Sequence, residues 1–169
     1  MLMNEPVVFV TGTDTGIGKT WVTCKLAQTL YKAHQSIAIQ KWIETGWDLE
    51  SSDYSRYCKT LPHLKDEPIN DIVPYRLNLA ASPHLAAERD GITLDIETCL
   101  AATERLKARY QQVLIEGAGG IMVPVSRHKT LRDWLVQAKI PALVVIGNRL
   151  GAINHSLLTI QSLQEAQIP

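Results

Sequence analysis

A glycine-rich segment at residues 12–20 constrains this chain more than any other feature. It reads Gly-Thr-Asp-Thr-Gly-Ile-Gly-Lys-Thr and lies between a run of branched aliphatic residues and a stretch with helical periodicity. Glycines let backbone N–H groups converge on phosphate oxygens, a helix amino terminus favours negative charge, Lys19 adds a cation, and the Thr20 hydroxyl can bind Mg²⁺. Five residues separate Gly12 from Gly18, one more than in the common phosphate-binding loop. The segment is therefore predicted to be a lengthened P-loop that binds a nucleoside triphosphate.

Apolar runs and amphipathic stretches alternate along the rest of the chain. Strands are predicted at residues 7–11, 37–41, 113–116 and 142–147, and helices at residues 19–34, 94–109, 130–137 and 153–167. A weaker run at residues 72–75 contains Pro74 and is interpreted as an edge strand or an extended loop. This order predicts an α/β, P-loop-containing three-layer fold with a mainly parallel sheet flanked by helices. Ligands of such folds bind beyond the carboxyl ends of the strands.

Composition narrows the class of protein. The 169 residues show no linker or repeat, so we expect one domain over residues 1–169. Equal numbers of acidic and basic residues give zero formal charge, which disfavours nucleic acid as a partner. No apolar run is long enough to span a membrane and no signal peptide is recognisable, so a cytoplasmic protein is expected. The three cysteines form no CxxC pair and are interpreted as reduced thiols.

Charged residues follow two further strands of the predicted sheet. Lys41 ends the second strand, where it could neutralise charge during phosphoryl transfer, although most lysines are simply solvated. Glu116 ends the third and is followed by Gly117-Ala118-Gly119-Gly120, so it is either a magnesium ligand or a solvated acid beside a tight turn. Asp53 could be a further ligand, but chemistry alone favours a helix cap. The helix amino terminus near residue 151 could receive a carboxylate.

Taken together, these motifs resemble the dethiobiotin synthetase family along nearly the whole chain. The lengthened loop combined with Glu-Gly-Ala-Gly-Gly is the most specific part of the resemblance. The matching motifs are Thr11-Gly12-Thr13-Asp14-Thr15 with Gly18-Lys19-Thr20, Lys41 with Thr45-Gly46, Ser52-Asp53, Ser82-Pro83-His84, Glu116-Gly117-Ala118-Gly119-Gly120, and Leu150-Gly151 with Ile153-Asn154-His155.

The resemblance implies a ligase that uses ATP and Mg²⁺ to close the ureido ring of dethiobiotin. Its substrates would be 7,8-diaminopelargonate and CO₂ or bicarbonate, and the reaction belongs to biotin biosynthesis. One amine captures CO₂ as a carbamate, the carbamate attacks the γ-phosphate, and the second amine displaces phosphate. The family also implies a homodimer whose subunits share the site.

Roles for individual residues follow from the same resemblance. Lys41, Lys19 and Thr15 would be catalytic. The metal ligands would be Thr20, Asp53 and Glu116. Nucleotide contacts would come from Gly16, Ile17, Gly18, Lys19, Thr20, Trp21, Asp53, Glu116, Gly117, Ala118 and Gly119. Thr45 would contact the diamine. The carboxylate tail of a diamine bound in one subunit would contact four residues of the other subunit: Gly151, Ala152, Ile153 and Asn154.

Three departures from the family pattern affect this transfer. Gly16 stands where a well-known bacterial form has glutamate, and Thr45 replaces a serine but keeps the hydroxyl. The sequence ends at Pro169, so we expect the family's carboxyl-terminal segments, which recognise the adenine, to be missing. The alternatives are another P-loop enzyme, such as an amide synthase or a partition-type ATPase, and a truncated nucleotide-binding protein without turnover. A partition-type ATPase is disfavoured because residues 11–15 contain no lysine.

Overall fold

The computed structural model describes residues 5–169. Its strands and helices alternate in the way that the apolar pattern predicts, with additional short elements between residues 43 and 90. A 3-10 helix, Pro62–Asp66, lies between the second and third helices. In chain order the elements are β1 (Val7–Gly12), α1 (Lys19–Lys32), β2 (Ile37–Lys41), β3 (Ile43–Thr45), α2 (Asp53–Thr60), α3 (Ile69–Ile72), β4 (Tyr75–Leu77), α4 (Pro83–Asp90), α5 (Ile96–Lys107), β5 (Gln112–Glu116), α6 (Leu131–Ala138), β6 (Ala142–Val145) and α7 (Ala152–Glu165).

The main sheet has four parallel strands in the order β2-β5-β1-β6. Every residue of β1, β2 and β5 is buried, which explains why these strands are continuous apolar runs without polar alternation. The four predicted strands and four predicted helices each begin and end within two residues of the observed ones. The α/β fold with a parallel sheet and flanking helices is therefore confirmed.

Helices cover the sheet in two groups, as the side chains at the end of β2 show. The Gln40 side chain contacts Thr103 of α5, while the next residue, Lys41, contacts Asp53 of α2. Because successive side chains of a strand point to opposite faces, α5 and α2 lie on different sides of the sheet. Helix α1 packs with α2, and α3 packs with α5. Lys41, at the end of β2, thus faces the α1 and α2 side of the sheet.

The prediction for residues 72–75 is wrong in its position. Residues 69–72 form helix α3, and the strand β4 begins only after Pro74. The residue before a proline is driven out of the helical region, which ends α3 at this point. Strand β4 then pairs in parallel with β3 in a separate two-stranded sheet, with Thr45 opposite Leu77. This small sheet was not predicted, because two three-residue strands carry no readable periodicity.

The core beside the sheet is largely aromatic and aliphatic. The Phe9, Trp42 and Trp134 rings pack in series, with centroids 5.3 and 6.1 Å apart. Cys24, Cys58 and Cys99 are free thiols, as expected from their number and spacing. Within residues 5–169, none of the helices is both long enough and apolar enough to cross a lipid bilayer.

Candidate active site

The lengthened loop between β1 and α1 adopts two left-handed turns. Gly16 and Gly18 have φ angles of 73° and 98°, a region that L side chains rarely adopt. Apart from the adjacent residues of the chain, nothing lies within 4 Å of a Cβ built at either position, so the loop has open space beside it at both glycines. Lys19 donates from Nζ to the Asp14 carbonyl at 2.7 Å and spans the loop. The departure at Gly16 therefore has a backbone reason, since glycine is unstrained there.

Strand register brings Lys41 and Glu116 together. The two residues are direct partners across the β2 and β5 pairing, so their side chains leave neighbouring strands at the same level. Lys41 Nζ lies 3.4 Å from Glu116 Oε1 and forms an ion pair with Asp53 Oδ2. The alternative interpretation of Lys41 and Glu116 as solvated side chains is wrong, because Glu116 is 1% exposed and Lys41 is buried.

Oxygens of three side chains converge at the start of α1. Thr20 Oγ1 lies 2.7 Å from Glu116 Oε1 and 3.1 Å from Asp53 Oδ1. A hydroxyl and two carboxylates are hard donors of the kind that Mg²⁺ prefers, so this set fits that ion. In residues 5–169 no group of three His, Cys, Asp or Glu side chains is placed to hold a metal. Two carboxylates nevertheless suffice for Mg²⁺, which keeps waters and phosphate oxygens among its ligands.

Asp53 was expected to cap a helix, and that expectation is wrong. The cap of α2 is Ser52, whose hydroxyl accepts the Ser55 N–H at 3.1 Å. Asp53 is the first residue of α2, and its carboxylate is turned to Thr20 and Lys41. Because Ser52 provides the cap, the Asp53 side chain is available to the site.

Burial and charge set the ionisation of these groups. Burial opposes the charge on Lys41, but the Glu116 and Asp53 carboxylates outweigh it and raise the pKa of Lys41 above its ordinary value. Burial also acts against ionised Asp53, yet the Lys41 ammonium prevails and lowers the pKa of Asp53. Burial lowers the pKa of Lys19, with Glu116 opposing. The Lys41 and Asp53 pair is therefore ionised at neutral pH.

A cavity of about 770 Å³ opens over this cluster. Thr15 and Gly119 are neighbours in its lining, since a Cβ on Gly119 would lie 3.4 Å from Thr15 Oγ1. Ser82 also lines the cavity and bonds through its hydroxyl to His84 Nδ1 at 3.0 Å instead of capping the α4 backbone. The predicted site residues that line the cavity are Thr15, Gly16, Gly18, Lys19, Thr20, Trp21, Lys41, Thr45, Asp53, Glu116, Gly117, Ala118 and Gly119.

Two sets of predicted site residues do not line this cavity. The Ile17 side chain packs inward, where a Cβ on Gly12 would lie 2.6 Å from Ile17 Cδ1. Residues 151–154 form the start of α7 and are absent from the cavity lining of their own chain. Any contact of Ile17 with a nucleotide would therefore involve its backbone, and residues 151–154 can serve only a site outside this cavity.

The exposed indole of Trp21 lies at the border between this cavity and a second one of about 510 Å³. Lys25 Nζ stands 5.9 Å from the centroid of the Trp21 ring, a cation–π distance. Arg56 lines both cavities and bonds to Asp53 Oδ1 at 3.2 Å. The two cavities thus share Thr20, Trp21 and Arg56 and are continuous with each other.

Sequence reasoning missed two residues beside the carboxylates. The Tyr57 hydroxyl donates to Glu116 Oε2 at 2.6 Å, and burial raises the pKa of this tyrosine well above its usual value. Glu44 accepts the Asp53 N–H at 2.6 Å, and burial raises the pKa of Glu44. The four-residue spacing from Asp53 to Tyr57 places both on one helix face, which is a usable signal. Nothing in the local sequence indicates that Glu116 or Glu44 lies opposite them.

A family model described as an AAA domain matches residues 7–169. An ATP-dependent dethiobiotin synthetase from Pseudescherichia vulneris is 38% identical over 94% of this chain and 67% of its own length. A second such enzyme, from Pasteurella multocida, is 38% identical over 96% of this chain and 77% of its own length. One from Haemophilus ducreyi is 36% identical over 96% of this chain and 78% of its own length.

One solved structure supports the fold assignment. The kinase domain of the Escherichia coli tyrosine kinase ETK superposes with a TM-score of 0.56 at 16% identity. The superposition covers 99% of this chain and 66% of that domain. At this level of identity the similarity concerns the fold alone.

Proposed function

The chain belongs to the ATP-dependent dethiobiotin synthetase family. On that premise we propose that it catalyses closure of the ureido ring of dethiobiotin, a step of biotin biosynthesis, and that the reaction takes place in its large cavity. The substrates are 7,8-diaminopelargonate, CO₂ and ATP. One observation carries the proposal: a single cavity is lined by the P-loop, by the Thr20, Asp53 and Glu116 oxygens, by Lys41 and by Thr45. These are the groups that a phosphoryl transfer to a small amine-derived acceptor requires.

The nucleotide phosphates lie along the loop of residues 16–21 and the turn of residues 116–119. The open space at Gly16 and Gly18 admits phosphate oxygens close to the backbone, and Lys19 supplies a cation. In this assignment Lys19 exchanges its bond to the Asp14 carbonyl for a phosphate oxygen. Ile17 contributes through its backbone only.

Thr20, Asp53 and Glu116 would hold Mg²⁺ through their oxygens. The ion supplies charge neutralisation at the transferring phosphoryl group. Lys41 is paired with the Asp53 and Glu116 carboxylates, which hold its ammonium beside the oxygens that would bind the ion. Lys41 lines the cavity in this position, and its ammonium stabilises the carbamate and the transferring phosphoryl group.

In this proposal the reaction takes place in three steps within the cavity. One amine nitrogen bonds to the carbon of CO₂ and releases a proton, which gives a carbamate. A carbamate oxygen then bonds to the γ-phosphorus as the bond to ADP breaks. The second amine nitrogen attacks the carbamoyl carbon, phosphate leaves with its oxygen, and another proton is released. Thr45 orients the diamine, and Thr15 lies near the carbamate.

A homodimer completes the proposal. The amino-terminal half of α7 exposes apolar side chains, with Ile153 80% and Leu157 62% accessible. An apolar face of this kind on a helix is typical of a protein interface. The adjacent residues Gly151, Ala152, Ile153 and Asn154 would then bind the carboxylate tail of the diamine in the other subunit's cavity. We also propose a cytoplasmic location, where ATP and bicarbonate are available.

Phosphate release from Mg·ATP tests the function. It is measured with and without 7,8-diaminopelargonate and bicarbonate, and the product mass is determined. Release that requires both compounds and yields dethiobiotin supports the synthetase. Release without the diamine indicates another ATPase, and nucleotide binding without release indicates a binding protein.

A further inference from the structure

Helix α2 contacts both carboxylates of the candidate magnesium site. On Glu116 the two oxygens have different partners: Oε2 accepts the Tyr57 hydroxyl at 2.6 Å, and Oε1 lies 2.7 Å from Thr20 Oγ1. Tyr57 is 0% exposed, so its ring is fixed by the core around it. A carboxylate held at one oxygen by a buried donor cannot rotate freely. The Tyr57 hydroxyl therefore restricts the orientation in which Glu116 faces Thr20, together with Lys41 at Oε1.

Asp53 is held through its backbone by Glu44. Glu44 Oε1 accepts the Asp53 N–H at 2.6 Å. Asp53 is the first residue of α2, where a backbone N–H has no partner inside the helix. Glu44 is 6% exposed and belongs to β3, so this bond ties the start of the helix to a strand. It fixes the point from which the Asp53 carboxylate reaches Thr20.

We propose that Tyr57 and Glu44 are positioning residues of the magnesium site, with Tyr57 acting through Glu116 and Glu44 acting through Asp53. The inference rests on the proposed function, because it takes Thr20, Asp53 and Glu116 as the metal ligands. Groups that orient metal ligands change metal affinity by about 10- to 100-fold when they are removed.

Metal binding, measured separately from turnover, tests the role of Tyr57. Tyr57→Phe removes one hydroxyl and keeps the buried ring. We expect Mn²⁺ affinity in the presence of ADP, followed by electron paramagnetic resonance, to fall about 10- to 100-fold. Affinity for ADP in EDTA should not change. The matched control is Tyr54→Phe on the same helix, since the Tyr54 ring packs against Trp47 at 6.3 Å and its hydroxyl is not bonded to Glu116 or Asp53.

Two variants of Glu44 separate its hydrogen bond from its charge. Glu44→Gln keeps a carbonyl oxygen for the Asp53 N–H, and Oε2 of Glu44 is buried without a partner among residues 5–169. The amide therefore loses no hydrogen bond, and its Mn²⁺ affinity should stay close to that of the wild type. Glu44→Ala removes the acceptor, and the affinity should fall about 10- to 100-fold. Glu50→Ala, at an exposed site before the same helix, is the control.

The outcomes distinguish the inference from the proposed function. Wild-type Mn²⁺ affinity in Tyr57→Phe and Glu44→Ala would overturn the inference, as would an equal loss of ADP affinity in EDTA. If the variants lose metal as expected but the wild type makes no dethiobiotin, only the proposed function fails. Should either variant not fold, a crystal structure of the wild type with Mg·ADP decides. It must retain the Tyr57 bond to Glu116 and the Glu44 bond to Asp53.

Discussion

Thr20 Oγ1 and Glu116 Oε1 lie 2.7 Å apart although 96 positions separate these residues in the chain. Thr20→Val keeps the shape of the side chain and removes the oxygen. We expect Mg²⁺-dependent nucleotide affinity to fall by about 10-fold or more, since one direct ligand and its hydrogen bond are lost. Thr20→Ser, which keeps the hydroxyl, should stay near the wild type. Titration of each protein with ADP, once in Mg²⁺ and once in EDTA, measures the difference. An equal loss of ADP affinity under both conditions would contradict the metal assignment.

Lys41 serves both stability and turnover. Lys41→Ala removes the ammonium that pairs with both Glu116 and Asp53 and leaves Asp53 paired with the exposed Arg56, and breaking a buried pair such as Lys41–Glu116 costs about 3–5 kcal/mol. Turnover should fall by about 100-fold or more, because a group that stabilises the transition state is removed. Mg²⁺ should restore part of the lost stability by neutralising the carboxylates. Thermal unfolding with and without Mg²⁺, beside the exposed control Lys32→Ala, tests this, and a rise in nucleotide Kd without a fall in kcat would remove Lys41 from catalysis.

The raised pKa of Glu44 predicts that Glu44→Gln increases the free energy of unfolding by an amount that depends on pH. Between the ordinary glutamate pKa of about 4.3 and the higher folded value, the folded protein binds more protons than the unfolded chain. Wild-type stability therefore falls as the pH rises through this window. Glutamine removes the effect, so its stabilisation should be small near pH 4, grow with pH and level off above the folded pKa. Urea unfolding at several pH values measures it, and a gain that is independent of pH would refute the explanation.

Gly117 is packed directly against a core ring. A Cβ at this position would stand 2.7 Å from two atoms of the fully buried Phe9 ring. Gly117→Ala should therefore cost about 1–3 kcal/mol through overpacking. Phe9→Leu in the same chain should make Gly117→Ala less costly, because the smaller side chain leaves room for the methyl group. Chemical denaturation measures the free energy of unfolding of both single variants and the double variant. Additive losses of this free energy would show that Gly117 and Phe9 do not interact.

The apolar face of α7 predicts a variant that separates subunits. Ile153→Glu places a charge in the proposed dimer interface and should give a monomer, whereas Leu49→Glu, at an exposed aliphatic side chain outside α7, should not. Analytical ultracentrifugation measures the oligomeric state. A wild type that is monomeric at high concentration would contradict the homodimer. It would also contradict the proposal that residues 151–154 bind substrate in the cavity of another subunit.

The sequence by itself determined the P-loop, the four main strands, the four main helices and their α/β alternation. These features depend on residues that are close along the chain: glycines at left-handed turns, branched aliphatic runs, and helical periodicity. Lys41 and Glu116 were also identified, because each ends a strand and parallel strand ends meet at one edge of a sheet. The motif order then allowed a family resemblance that the comparisons confirmed.

Tertiary structure alone decided how the site is held together. Asp53 is turned to Thr20 instead of capping a helix, because Ser52 caps α2 and α1 packs against it. Tyr57 reaches Glu116 across 59 positions, and Glu44 meets the Asp53 backbone because a three-residue strand places it there. Such contacts depend on strand register and helix docking, which result from the packing of the whole core. Local periodicity fixes which face a side chain occupies, but only the packed core fixes what lies opposite it.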